Sequence, residues 1–206
     1  MNKPTLIILK VLTWIACLYP LAILVYGAVT NNLGPDPTGR IEFATGNTAL
    51  NLLVISLAIT PLRQLWPRLS WLIKFRRLLG LFAFFYASIH LMAYVGLYAY
   101  FDPNTIVHDI AKRRFITAGV TAWLLLVPLA LTSTTGSIRR LGGKRWNQLH
   151  KLVYVSVCLG LLHYWWQVKT GVLAPLWITL IMAALFLARP VLGWWKARRS
   201  APAQAA

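Results

Sequence analysis

The chain has 206 residues, of which 58% are hydrophobic and only 12% are charged. A soluble domain carries about twice that charged fraction, so composition excludes a soluble enzyme and a solvated nucleic-acid-binding domain. The formal net charge of +17 instead fits a membrane protein whose basic residues gather in short loops. We predict a membrane-embedded protein whose partners include no nucleic acid.

Six apolar segments, each about long enough to cross a bilayer as a helix, follow one another along the chain. In chain order they are predicted at residues 6–29, 48–65, 78–100, 115–131, 149–166 and 172–195. We therefore expect an all-α bundle of six transmembrane helices that forms a single domain, residues 1–199. The tail, residues 200–206, is expected to be disordered. The first segment is too long for the apolar region of a signal peptide, so we expect it to be retained.

Charged residues are divided unevenly between the two sides that six spans define. Basic residues are concentrated after the second, fourth and sixth spans. All four acids follow the first or the third span, and they are Asp36, Glu42, Asp102 and Asp109. The positive-inside rule then predicts that both termini are cytoplasmic. Three further basic residues near span ends are expected to extend to the membrane surface, namely Lys10, Lys151 and Arg189.

The segment between the first two spans is predicted to be an outer loop. Residues 34–51 contain glycine and proline residues that favour turns. The run Thr45-Gly46-Asn47-Thr48 offers side chains that cap helices, which is consistent with a second span that starts near residue 48.

Two histidines are predicted at matched depth in spans that run in the same direction. His90 lies about 18 Å into the third span and His163 about 21 Å into the fifth, at about 1.5 Å per residue. A polar side chain inside a bilayer is costly, and two facing imidazoles are suitable axial ligands for a haem iron. We predict that both ligate a haem b in the outer half of the membrane. The alternative is that each is a buried histidine hydrogen-bonded to a neighbouring helix.

His150 begins the same predicted span as His163, about 20 Å away along the axis, which is far enough for a second haem. Their separation turns the two residues about 140° apart around a regular helix, so the span must bend, rotate or start irregularly to aim both at the third span. The matching position of the third span holds Arg76, which is not an expected haem ligand. Either another group completes an inner site or His150 is an ordinary interfacial histidine.

Basic residues near this inner site are candidate contacts for an anion. The candidates for pairing with haem propionates or with a flavin phosphate are Arg76, Arg77, Lys144 and Arg145. His108, beside Asp109, is expected to be a solvated loop residue. We find no phosphate loop, nucleophile motif or carboxylate pair, so no catalytic residue is predicted. The protein is expected to carry electrons rather than to transform a substrate.

Five segments carry a resemblance to a known family that extends over about residues 10–195. They are TGNTALNLLVISLAITPLR (45–63), RRLLGLFAFFYASIHLMAYV (76–95), KRRFITAG (112–119), LALTSTTGSIRRLG (129–142) and WNQLHKLVYVSVCLGLLHYWW (146–166). They resemble the MsrQ, or YedZ, family, the haem-binding membrane subunits of periplasmic methionine sulfoxide reductase systems. That family belongs to the ferric reductase-like transmembrane superfamily.

The resemblance implies a ferric reductase-like bundle in the bacterial inner membrane, with haem b and FMN as cofactors. It implies electron flow from the quinone pool or a cytosolic flavin reductase to a periplasmic MsrP-like molybdopterin enzyme. That partner reduces methionine sulfoxide in oxidised periplasmic proteins. The family's haem histidines match His90, His150 and His163. Two-haem relatives carry two histidines on each ligand helix, so Arg76 leaves the number of haems at one or two.

Two other functions stay open at this point. A stand-alone ferric or quinone-linked cytochrome b reductase would use the same histidines without a sulfoxide reductase partner. A small transporter or assembly factor would use them as polar contacts between helices and would bind no haem.

Overall fold

The computed structural model describes residues 2–168 and 172–200, and every regular element in those ranges is helical. The α-helices are α1 (Lys3–Val29), α2 (Pro37–Leu65), α3 (Ile73–Ala93), α4 (Pro103–Lys112), α5 (Arg114–Leu131), α6 (Thr135–Leu141), α7 (Gly143–Leu149), α8 (Leu152–Gln167) and α9 (Leu173–Ser200). A 3-10 segment, Pro67–Leu72, precedes α3, and a π-helical turn, Tyr94–Tyr98, continues it. The predicted disordered tail starts at residue 200, but Ser200 is the last residue of α9, so the prediction is wrong there. Residues 201–206 of that tail lie outside the described residues.

Five helical segments of the described chain are long and apolar enough to cross a membrane. They are Lys3–Val29, Pro37–Leu65, Pro67–Tyr98, Arg114–Leu131 and Leu173–Trp195. The predicted fifth span corresponds to α8, which has only 16 residues and is about 24 Å long. The all-α membrane bundle is confirmed, with α8 the shortest of the helices at the six predicted spans.

The second span begins much earlier than predicted. Asp36 caps α2 by accepting a hydrogen bond on Oδ1 from the backbone N–H of Gly39 at 2.8 Å, and Pro37 suits the first helical position. Thr45 is not a cap: it is fully buried, and its hydroxyl donates to the carbonyl of Ile41 at 2.7 Å. The predicted outer loop is therefore wrong from residue 37 onward, because Asp36 and Pro37 start a helix here rather than form a turn.

Two antiparallel helix pairs form the centre of the bundle. α3 packs along α2, and the Ser56 hydroxyl donates to the carbonyl of Arg76 at 3.1 Å. α8 packs along α5 in the same way, and the Ser156 hydroxyl donates to the carbonyl of Ala122 at 2.8 Å. α2 and α5 start at one end of the bundle, which we call the acidic end because the four acids lie there. α3 and α8 start at the opposite end, which we call the basic end.

A buried tyrosine joins α1 to the bundle. Pro20 lies inside α1 and cannot donate a backbone hydrogen bond. Tyr86 of α3 is fully buried beside it. Its hydroxyl donates to the carbonyl of Cys17 at 2.6 Å and accepts from the N–H of Leu21 at 3.1 Å. The hydroxyl thus satisfies two backbone groups of α1 within the apolar core.

Candidate metal and cofactor site

The structure brings the two predicted intramembrane ligands together. His90 lies late in α3 and His163 late in α8, and their ring centroids are 5.8 Å apart with planes at 82°. Both rings line one cavity between α2, α3, α5 and α8. The expectation that α3 and α8 present these residues at one height follows directly from the constant rise of a helix.

Each of the two rings is held by a backbone carbonyl. Nδ1 of His90 lies 3.0 Å from the carbonyl oxygen of Glu42, and Nδ1 of His163 lies 2.7 Å from that of Phe115. A carbonyl oxygen only accepts hydrogen bonds, so in both rings Nδ1 carries the proton. A neutral imidazole then has a free lone pair on Nε2, which is the arrangement that a metal-binding histidine uses.

A glycine four residues after each of these carbonyls makes room for the ring. A Cβ at Gly46 would lie 3.0 Å from Cε1 of His90, and a Cβ at Gly119 would lie 2.8 Å from Nδ1 of His163. Residues i and i+4 share a helix face, so a glycine at i+4 leaves the carbonyl at i accessible to the facing helix. The same arrangement of a carbonyl and a glycine four residues later thus occurs twice, in α2 (Glu42 and Gly46) and in α5 (Phe115 and Gly119).

The sequence did not predict the role of these two glycines. Each lies in a short run of small residues, Ala44-Thr45-Gly46 and Thr117-Ala118-Gly119, which is the only sequence signal for close helix approach here.

The cavity has a volume of about 570 Å³, within the range of cofactor pockets. Its deep wall is apolar and includes Leu53, Leu126 and Val157. Its lining continues to Asp36 and Gln167, so the cavity extends from the middle of the bundle to the acidic end.

A buried carboxylate lies near the acidic end of the cavity and is fully paired. Tyr94, which lines the cavity, donates its hydroxyl to Oδ2 of Asp109 at 3.0 Å. Nε of Arg113 lies 3.0 Å from Oδ1 of the same residue. These contacts attach α4 to the bundle. His108 is exposed, as expected, but it belongs to α4 rather than to a loop.

His150 lies in an irregular turn between α7 and α8. The predicted fifth span therefore starts irregularly, which is one of the three alternatives that the spacing of His150 and His163 leaves open. Its Nδ1 lies 3.0 Å from the carbonyl oxygen of Trp146, and its ring stacks on the Trp146 ring at 3.8 Å. Nδ1 therefore carries the proton, as in His90 and His163. Nε2 is buried without a hydrogen-bond partner.

The structure separates the predicted basic contacts into two groups. Arg76 is half-buried close to His150, and its Nη1 lies 3.4 Å from Oγ1 of Thr60. The others are exposed on the surface of the basic end, and they are Arg77, Lys144 and Arg145. Arg189 does not extend to the surface as expected, because its guanidinium turns inward to the Leu57 carbonyl and the Tyr154 hydroxyl.

The residues of this site fit a haem better than a bare ion. No group of three or more His, Cys, Asp or Glu that could hold a metal occurs in the described part of the chain. A bare ion between His90 and His163 would therefore lack ligands, whereas a haem supplies its own ring nitrogens. Two imidazoles with free Nε2 atoms, an apolar cavity and a glycine behind each ring form a suitable donor set and cradle.

Comparisons with known proteins identify the family. Residues 39–161 match the model of the ferric reductase like transmembrane component. The protein-methionine-sulfoxide reductase heme-binding subunit MsrQ of Herminiimonas arsenicoxydans is 45% identical over 197 residues, which cover 95% of this chain and 90% of that protein. MsrQ of Xanthomonas campestris pv. campestris (strain 8004) is 51% identical over 180 residues, 82% of this chain and 79% of that protein. The chain therefore belongs to the ferric reductase-like transmembrane family and, within it, to the MsrQ subunits.

Proposed function

We propose that this protein holds a haem b between His90 and His163 and passes electrons to a periplasmic MsrP-like molybdoenzyme that reduces methionine sulfoxide. The observation that carries the proposal is the histidine pair, in which each Nδ1 is bound to a backbone carbonyl and each Nε2 is free. The MsrQ relatives are named as heme-binding subunits, which supports the same cofactor.

When bound, haem supplies one-electron redox chemistry. The chain's own residues bind and orient it. The carbonyls of Glu42 and Phe115 fix the tautomer and the ring orientation of the two histidines, and hydrogen bonds of this kind also raise ligand basicity. The deep wall of the cavity is apolar, and burial is one of the factors that set a haem potential.

The position of the histidine pair favours delivery of electrons toward the acidic end. The cavity reaches that end through Asp36 and Gln167. The excess of basic residues at the other end favours a cytoplasmic location for it and for both termini, in the bacterial inner membrane. Electrons would then leave on the periplasmic side, where the sulfoxide reductase operates.

Electron entry is proposed at the basic end. The donor is the quinone pool or a cytosolic flavin reductase, and FMN is a second cofactor that the family resemblance implies. Arg77, Lys144 and Arg145 are exposed there and suit a phosphate that approaches from the cytoplasm. His150, with its free Nε2, is proposed to ligate iron at an inner site.

A single-turnover experiment tests this function. The purified protein is reduced with dithionite, excess reductant is removed, and the haem spectrum is followed after adding an MsrP-like enzyme with methionine sulfoxide. We expect reoxidation that requires both the enzyme and its substrate.

Ferric citrate and a soluble quinone, added separately, are the comparison acceptors. Rapid reoxidation by either one, with none by the sulfoxide reductase and its substrate, would contradict the proposal and favour a stand-alone ferric or quinone-linked reductase. A protein that binds no haem at all would favour a transporter or assembly factor.

A further inference from the structure

The turn that joins α3 to α4 holds two aromatic residues in a backbone conformation that bulky residues rarely adopt. Tyr100 and Phe101 have φ angles of 48° and 58°, in the left-handed region. Their side chains are 80% and 65% exposed, so burial in the core does not compensate for this conformation. Backbone strain is concentrated at binding and switch sites. The two rings are thus held outward at the acidic end, in a turn whose strain indicates a function.

Three consecutive basic residues lie on the same side of the membrane, where α4 meets α5. Arg113 pairs with Asp109, whereas Lys112 and Arg114 are exposed and have no acidic partner in the described part of the chain. The positive-inside rule disfavours lysine and arginine in short outer loops. On the proposed topology, two unpaired positive charges therefore face the periplasm, where they are available to a negatively charged partner.

The outward face of α4 is too polar to lie in a lipid surface. Ile106 and Ile110 are half-buried beside the buried Asp109, on the side of α4 that packs against α5. The exposed residues of the helix that follow Pro103 are Asn104, Thr105, Val107, His108, Ala111 and Lys112. An interfacial helix instead turns a continuous apolar face to the acyl chains. The outward face of α4 is therefore better suited to contact a soluble protein than a lipid surface.

These aromatic and basic residues adjoin the wall of the cavity that contains the histidine pair. Tyr98, two residues before Tyr100, lines the cavity and is itself 47% exposed. Phe115, which follows Arg114, also lines the cavity, and its carbonyl lies 2.7 Å from Nδ1 of His163. A protein that docked on this side of the bundle would therefore lie close to the mouth of the cavity.

We propose that Tyr100, Phe101, Lys112 and Arg114, which we call the α4 surface, form the docking surface for the soluble electron acceptor, and that the acceptor contacts it with an acidic patch. Aromatic residues and arginine are enriched at protein interfaces, and complementary charges speed association. α4 is about 15 Å long, which suits the small interface of a transient redox complex. The inference rests on the proposed function, because that function requires a protein acceptor on this side.

The test measures how fast the acceptor reoxidises the haem. Haem-loaded protein in detergent is reduced, and the second-order rate constant for reoxidation by the MsrP-like enzyme with methionine sulfoxide is measured at low and high salt. The charge variant is Lys112→Gln with Arg114→Gln. Its matched control is Arg139→Gln with Arg140→Gln, which removes two exposed arginines of α6 at the basic end. Arg113 is left unchanged because it belongs to an ion pair.

We expect the rate constant of the charge variant to fall about tenfold at low salt, because it loses electrostatic steering. The difference from the wild type should disappear near about 0.5 M salt, and the control should match the wild type throughout. If the two cations bind lipid headgroups instead, the charge variant will bind less phosphatidylglycerol and keep the wild-type rate constant, which would overturn the inference.

A second variant tests the aromatic part of the α4 surface. Tyr100→Gly removes the ring and also relieves the left-handed strain, so we expect it to fold. The dissociation constant for the MsrP-like enzyme should rise about tenfold at both salt concentrations, because salt does not screen the contacts of an aromatic anchor. Tyr100→Phe keeps the ring and should bind as the wild type does.

Two controls separate docking from the haem site itself. Haem content, and the rate of reoxidation by dioxygen, which needs no docked protein, should equal the wild-type values in every variant. Wild-type rate constants and affinities in both the charge variant and Tyr100→Gly would overturn the inference and leave the proposed function standing. A wild type that the enzyme and its substrate do not reoxidise would contradict the proposed function and the inference with it.

Discussion

The acidic and basic ends of the bundle differ in how completely their buried polar atoms are paired. At the acidic end His90, His163 and Asp109 find hydrogen-bond partners within the chain. At the basic end His150 and Arg189 keep buried atoms without partners in the described structure. The acidic-end site is therefore shaped by backbone groups of the chain itself, whereas the basic end leaves one buried atom of His150 and one of Arg189 unpaired in the described structure.

The largest expected effect comes from closing the space behind one ring at the acidic end. In Gly119→Ala the new Cβ would lie 2.8 Å from Nδ1 of His163, so the ring must move away from the Phe115 carbonyl. We expect haem affinity to fall about tenfold to a hundredfold, as for other changes just outside the metal ligands. Haemin titration of the purified apoprotein measures it.

Gly80→Ala is the matched control, because a Cβ at Gly80 meets nothing within 4 Å. Equal haem affinity in Gly119→Ala and Gly80→Ala would mean that the ring does not depend on the glycine.

A smaller effect, on stability, is expected when a buried hydroxyl that pairs with two backbone groups is removed. Tyr86→Phe leaves the carbonyl of Cys17 and the N–H of Leu21 without their partner next to Pro20. The free energy of unfolding should fall by about 1–3 kcal/mol, the cost of leaving buried groups unpaired. Unfolding in detergent measures it, with Tyr19→Phe as the control because Tyr19 is 64% exposed. Equal stability of the two variants would refute the role given to the hydroxyl.

The basic end should tolerate the loss of a polar side chain when no ligand is present. His150→Leu removes one hydrogen bond to Trp146 and also removes an unpaired buried nitrogen. These effects oppose each other, so the ligand-free free energy of unfolding should change by less than about 1 kcal/mol. A loss as large as that of Tyr86→Phe, measured in the same detergent, would mean that Nε2 has a partner within the chain.

The smallest effect concerns α4, outside the membrane spans at the acidic end. The Thr105 hydroxyl and the backbone N–H groups of Thr105 and Asn104 donate to Asp102 and lower the pKa of its carboxyl below the usual 3.8. Its contribution to helix stability is therefore present above that pH and is lost as pH falls through the lowered pKa.

The protection of the α4 amides against hydrogen exchange, taken relative to the intrinsic exchange rate at each pH, should fall in this acidic range for the wild type. Asp102→Asn keeps a capping side chain that does not titrate, so its protection should depend less on pH. The same loss of protection in both proteins would show that another group controls α4.

Helix positions and the depth of the histidine pair follow from the sequence because they depend on local quantities. The length of an apolar segment predicts a span, and a constant rise per residue places His90 and His163 at one height. The start of α2 was missed because Asp36-Pro37 suits both a turn and a helix N-terminus. Only the helix that packs against this segment decides between the two.

Contacts between distant helices could not be predicted in the same way. Gly46 and Gly119 matter only because a histidine from the facing helix lies against each of them. Arg189 was expected to extend to the surface because it lies near the end of a span. The Leu57 carbonyl and Tyr154 hydroxyl that turn it inward belong to other helices, α2 and α8.

The most direct test of the central claim is the oxidised and dithionite-reduced visible spectrum, with haem quantified per chain, for His90→Ala and His163→Ala beside the wild type and His108→Ala. The account predicts a low-spin b-type spectrum for the wild type and for His108→Ala, whose exposed side chain lies outside the cavity. It predicts that both cavity variants lose the same haem. Full haem content and an unchanged spectrum in either cavity variant would contradict the claim that these two residues hold it together.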